Sequence, residues 1–166
     1  MSKGGYKLRI FIGNGDITNY CEKVDVIVNA WNRNFIPGFL LIASGVSRTI
    51  FKKAGKNVYE EVRRKGLLKI GEAVITSPGF LECKAIVHVA GINAFWKATE
   101  YSIRESTKNA LQLLVKEDYK SIAIPLIGSG SGGYKKNKCI ELIKEECEKF
   151  QGYKIDVFIV NYENHR

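Results

Sequence analysis

The sequence predicts an α/β fold, a three-layer α/β/α sandwich around a mixed, mostly parallel six-stranded sheet. Three observations predict it. Short apolar runs alternate with stretches of helical periodicity, the pattern of strands joined by helical crossovers. Four of the runs are Val, Ile, Leu or Ala almost throughout, as in strands covered on both faces. One link between runs is too short to hold a crossover helix.

The strands are expected at Leu8–Ile12, Val24–Ala30, Glu72–Thr76, Ala85–Ala90, Ser121–Ile127 and Ile155–Asn161. Between them, Val46, Ile50, Phe51 and Ala54 form a helical stripe. Asn57-Val58-Tyr59-Glu60 resembles a helix N-cap followed by an acidic residue three places on, and opens a second helix. Thr99 to Lys116 reads as the longest helix, with Ile103, Ala110, Leu111 and Leu114 on one side. Ile140, Ile143, Cys147 and Phe150 make the last stripe. Only eight residues separate Thr76 from Ala85. Those two strands therefore pair as neighbours, or one is an antiparallel edge.

The chain has 166 residues, enough for one domain with a sizeable core. A single domain over 1–166 is expected. No apolar run approaches the roughly 20 residues that span a membrane. No apolar stretch follows the charged start, so no signal peptide, a cytoplasmic setting and no membrane partner are expected. Cys21, Cys83, Cys139 and Cys147 form no C-x-x-C pair, and His88 and His165 lie far apart, so no metal site is expected. The net charge of +9 suits anionic partners, phosphates or nucleic acid, but also simple solubility. Nothing points to an oligomer, and a monomer is favoured.

Open α/β sheets bind ligands at the carboxyl ends of their strands. After Ser121–Ile127 comes Gly128-Ser129-Gly130-Ser131-Gly132-Gly133-Tyr134. Such a loop either cradles a diphosphate with its backbone N–H groups or is a flexible turn. It lacks the spacing of a Walker P-loop. Asp16, in Gly15-Asp16-Ile17-Thr18, could accept from an exocyclic amine or cap a turn. Asn29 and Asn32 offer both donors and acceptors for ribose hydroxyls, or cap a loop.

Together these segments resemble the macro domain, an ADP-ribose-binding family. Gly15-Asp16-Ile17-Thr18 is similar to its GDIT segment, Val24 through Asn32 to its VDAIVNAAN strand and loop, and Gly45-Val46 to its GV step. Gly71-Glu72-Ala73, Ile86 through Gly91 and Pro125 through Gly130 resemble later strands and its phosphate loop. The resemblance implies ADP-ribose as ligand, free or on protein or nucleic acid, with no cofactor. It implies Asp16 and Ile17 at adenine, Asn32 at the distal ribose with Asn29 in support, and backbone N–H groups of Gly45 and Val46 at one phosphate. Ser129, Gly130, Ser131, Gly132 and Gly133 would wrap the diphosphate, with Tyr134 closing that end and Tyr162 stacking on adenine or packing at the C-terminus.

The chain departs from the family in places. Ser47 stands where hydrolytic members of one branch have a water-positioning aspartate, and an apolar insert, 37–43, replaces a polyglycine. Gly132 stands where many members carry an aromatic, and Lys97 does not match the local sequence of the branch with a lysine nucleophile. Three functions follow: an ADP-ribosyl hydrolase using Asn32 and Ser47, an ADP-ribose reader, and a nucleic-acid binder. The hydrolase is favoured because the family contains many such enzymes.

Overall fold

The computed structural model describes residues 7–31, 33, 45–93 and 95–163. Its strands are β1 (Arg9–Asn14), β2 (Val26–Trp31), β3 (Ala73–Thr76), β4 (Ala85–Ala90), β5 (Ser121–Pro125) and β6 (Asp156–Asn161). Its helices are α1 (Gly45–Ala54), α2 (Lys56–Arg64), α3 (Glu100–Lys116) and α4 (Lys136–Glu148), with a short 3-10 turn at Ile17–Tyr20.

The six strands form one sheet in the order β1-β6-β5-β2-β4-β3. Every pairing is parallel except β3 with β4. The short link after Thr76 is thus an antiparallel return, and β3 is an edge. Alternate residues of each strand feed opposite layers, as the two-residue period of a strand requires. Val26, Val28, Val87 and Ile124 pack with Ile103, Leu111 and Leu114 of α3 and with Leu142 and Ile143 of α4. Ile27, Ile86, Ala123 and Val160 pack with Ile50 and Ala54 of α1, Val58 of α2, and Ile17. These two cores on either side of one sheet are the expected sandwich.

α3 opens on a reciprocal cap. Thr99 accepts from the Ser102 backbone while Ser102 Oγ accepts from Thr99 N–H. The expected cap at Asn57 is corrected. α2 starts at Lys56, its N-cap is Gly55, and no side chain caps it. Gly55 N–H still bonds Phe51 C=O at 3.0 Å, so one residue both ends α1 and begins α2. That reversal needs φ of 96°, and a Cβ there would meet the Phe80 ring at 2.8 Å, so glycine suits the position. Strand and helix ends also move by a few residues. β5 stops at Pro125, and Phe150 lies beyond α4, packed on the core.

All four cysteines are buried free thiols. Burial pushes Cys139 up to about 11 and Cys147 up to about 12, so both behave as small apolar groups.

Leu111 is fully buried between α3 and the sheet. Leu111→Ala is expected to cost about 2–5 kcal/mol of unfolding free energy in urea titration.

Candidate ligand-binding cleft

β6, β5, β2 and β4 run parallel, so their carboxyl ends emerge on one edge of the sheet. A cleft of about 220 Å³ opens there. Asn161 and Tyr162 bound it at the β6 end, and Gly91, Ile92 and Trp96 at the β4 end. Its middle is made by Ala30 and Trp31 of β2, by Pro125, Leu126 and Gly128–Gly132, and by the first residues of α1, Gly45, Val46 and Ser47. Lys136, at the start of α4, also reaches it.

The glycine loop is held by its own backbone. Ser129 N–H bonds Leu126 C=O at 3.0 Å, Gly133 N–H bonds Gly130 C=O at 3.1 Å, and Tyr134 N–H bonds Gly128 C=O at 2.9 Å. Ala98 N–H ties the loop to the segment before α3 through Gly132 C=O at 3.2 Å. The N–H groups of Gly130 and Gly132 have no hydrogen-bond partner among the described residues. At the first turn of α1, helix geometry itself leaves N–H groups unpaired. Two sets of donors and a helix dipole therefore border one cavity, with Lys136 in its lining, a setting that favours an anion.

Ser47 is 8% exposed, and its Oγ has no partner among the described residues. Ser47 lies in the cleft lining, with its Oγ shielded from solvent. Beneath the cleft, Asn29 is fully buried at the end of β2. Its Nδ2 donates to His88 Nδ1 at 3.1 Å. His88 Nε2–H then donates to Thr76 Oγ1 at 2.9 Å, whose hydroxyl donates to Ser77 C=O at 3.0 Å. Burial, with a smaller push from the charge of Lys65, lowers His88 to about 3, so the ring is neutral. Asn29 Oδ1 is left without a partner among the described residues.

Of the residues expected at the site, Gly45, Val46, Ser47, Ser129, Gly130, Ser131, Gly132 and Tyr162 line the cleft. Gly133 and Tyr134 follow just outside its lining, and Asn29 lies below. Ile17 is buried in the core layer under α1. Asn32 and the 37–43 insert lie outside the described residues. Asp16 is not in the lining and is already engaged. Its Oδ1 accepts from Thr18 N–H and Thr18 Oγ1, and its Oδ2 from Lys53 Nζ at 2.8 Å. Burial alone would raise its carboxyl, but the bonds from Lys53 and Thr18 outweigh that and hold it below the usual range. Sequence reasoning missed Trp31, Trp96 and Asn161. Among the described lining residues there is no carboxylate, histidine or cysteine.

The chain belongs to the macro domain family, whose profile matches residues 28–143. It is 33% identical over 144 residues to an O-acetyl-ADP-ribose deacetylase of Citrobacter koseri, covering 82% of this chain and 76% of that protein. It is 34% identical over 139 residues to human protein mono-ADP-ribosyltransferase PARP14, covering 84% of this chain but 7% of that much longer one. Among solved structures, a mutant of the Oceanobacillus iheyensis macrodomain with ADPR superposes with a TM-score of 0.78 at 28% identity, over 92% of this chain and 84% of that one.

The neutral His88 sets a pH dependence. The unfolded chain takes up a proton at this residue below about pH 6.5, whereas the folded one does so only near pH 3. The stability it contributes is complete above pH 6.5 and declines as pH falls toward 3. Urea midpoints at pH 7 and pH 4.5 are expected to fall less for His88→Gln than for the wild type. Equal falls would show that the ring is already charged in the fold.

Proposed function

We propose that the cleft binds ADP-ribose, free or carried on a protein or nucleic acid, and that the protein releases it by hydrolysis at the distal ribose. The observation that carries this reading is the pairing of the unpartnered Gly130 and Gly132 N–H groups with the first turn of α1 across one cavity at the strand ends. A diphosphate fits that pair of donor sets. The base then lies toward Tyr162, and the second sugar toward β2 and β4. The relatives named O-acetyl-ADP-ribose deacetylases support the hydrolytic half.

With no carboxylate or imidazole in the described lining, no general base stands there in the ordinary sense. Ser47 takes the role of orienting water. Its Oγ, buried and unpartnered among the described residues, turns into the cleft to hold one water when ligand binds, and Asn32 holds the ribose hydroxyls, as the family resemblance implies. A phosphate oxygen of the ligand accepts the water's proton as the linkage breaks, so turnover is slow. The same lack of a base favours a second reading, a module that holds ADP-ribose without cleaving it.

Gly130 has open space where a side chain would start, so Gly130→Glu leaves the fold intact while placing a carboxylate among phosphate donors. Calorimetry is expected to show ADP-ribose affinity reduced about 100-fold or more, with an unchanged melting temperature. Unchanged affinity would remove the loop from the site. Ser47→Ala is expected to slow release from O-acetyl-ADP-ribose roughly tenfold while affinity stays within about twofold. If the wild type binds but releases nothing, the reader function stands.

A further inference from the structure

We propose that Trp96, in the loop after β4, is the flat wall against which the distal ribose packs, a specificity-determining side chain that the glycine loop does not provide. This rests on the ADP-ribose reading above.

The cleft crosses the ends of four neighbouring strands, β6, β5, β2 and β4. At about 4.8 Å per strand, its two ends lie about 14 Å apart. Tyr162 stands at the β6 end and Trp96 at the β4 end. A ligand with its base at Tyr162 and its diphosphate on the loop after β5 extends its second sugar toward Trp96.

The glycine loop cannot supply this wall. A Cβ at Gly132 would lie 2.5 Å from Gly128 O and 2.8 Å from Ala98 Cβ. Loop and Ala98 pack backbone to side chain there, and any larger residue would push them apart.

Trp96 is built into its place. Its φ is 59°, a conformation costly for a bulky residue. Asn93 holds it there. Asn93 Oδ1 accepts from Phe95 N–H at 2.9 Å and Lys97 N–H at 3.0 Å, Asn93 C=O accepts from Trp96 N–H at 3.1 Å, and Asn93 N–H bonds Lys97 C=O at 3.0 Å. Backbone strain of this kind persists where surrounding bonds over-determine it, and it concentrates at ligand clamps. Trp96 is 42% exposed and lines the cavity, a large apolar side chain left partly open. The C–H face of a sugar covers such a ring, while its hydroxyls stay at the wet edge.

The test is calorimetry of the full chain with ADP-ribose and with ADP, which lacks the second sugar, for the wild type, Trp96→Ala, Trp96→Phe and Phe95→Ala. Trp96→Ala is expected to weaken ADP-ribose roughly tenfold and ADP less than twofold, with Trp96→Phe retaining most of the ADP-ribose affinity. Phe95, 81% exposed and outside the lining, is expected to be neutral. Equal losses for both ligands in Trp96→Ala, or no loss for either, would overturn the role of Trp96 while leaving ADP-ribose binding in place. A wild type that binds neither ligand would overturn the functional reading and this one with it.

Discussion

Parallel pairing of β2 with β5 on one side and β4 on the other is the constraint on which the rest of the structure depends. It sends three loops out of the same edge of the sheet and sets them a strand's width apart. β2 can occupy this central place because Val26, Ile27 and Val28 are fully buried, on both faces. The cleft is then a consequence of topology. The glycine loop, the start of α1 and the Trp96 loop meet because their parent strands are neighbours, although they lie far apart in sequence.

Around that frame the site is polar where the core would be apolar. Asn29, His88 and Thr76 make a buried hydrogen-bonded string under the cleft floor, and Phe51 stacks on the His88 ring at 5.8 Å. The string fixes the end of β2. Ser47 Oγ and Asn29 Oδ1 are exceptions to the rule that buried polar atoms are paired. Each such atom costs about 1–3 kcal/mol. Ser47 lies in the cleft lining and Asn29 beneath it, and Tyr59 Oη and Ser106 Oγ are unpaired among the described residues outside that lining.

Much of this was legible in the sequence, for physical reasons. Continuous apolar runs suit strands covered on both faces, and the eight residues after Thr76 are too few for a crossover helix, which left a neighbour pairing or an antiparallel edge. Gly128 to Gly133 announced a backbone-lined loop. The cap of α2 was misplaced because Asn57 looked like a capping side chain. The reversal at Gly55 rests on its φ of 96° and its N–H bond to Phe51 C=O, which the helical stripes do not display. Asp16 was legible as a turn residue, but its ion pair with Lys53 is a contact between elements 37 positions apart. Trp96 gave no signal, since its placement comes from the Asn93 turn and from β4 lying beside β2. His88 lay inside an apolar run, and only its partners across the sheet show it as support for Asn29.

The central claim is that one extended ligand lies across the strand ends from Tyr162 to Trp96. Backbone amide chemical shifts, followed during titration with ADP-ribose, test it most directly. The account predicts large shifts at Gly45–Ser47, Gly128–Gly132, Tyr162 and the Trp96 loop, with the opposite edge of the sheet, such as Arg9 and Asp156, unmoved. Shifts confined to one end of the cleft, or centred on that opposite edge, would contradict it.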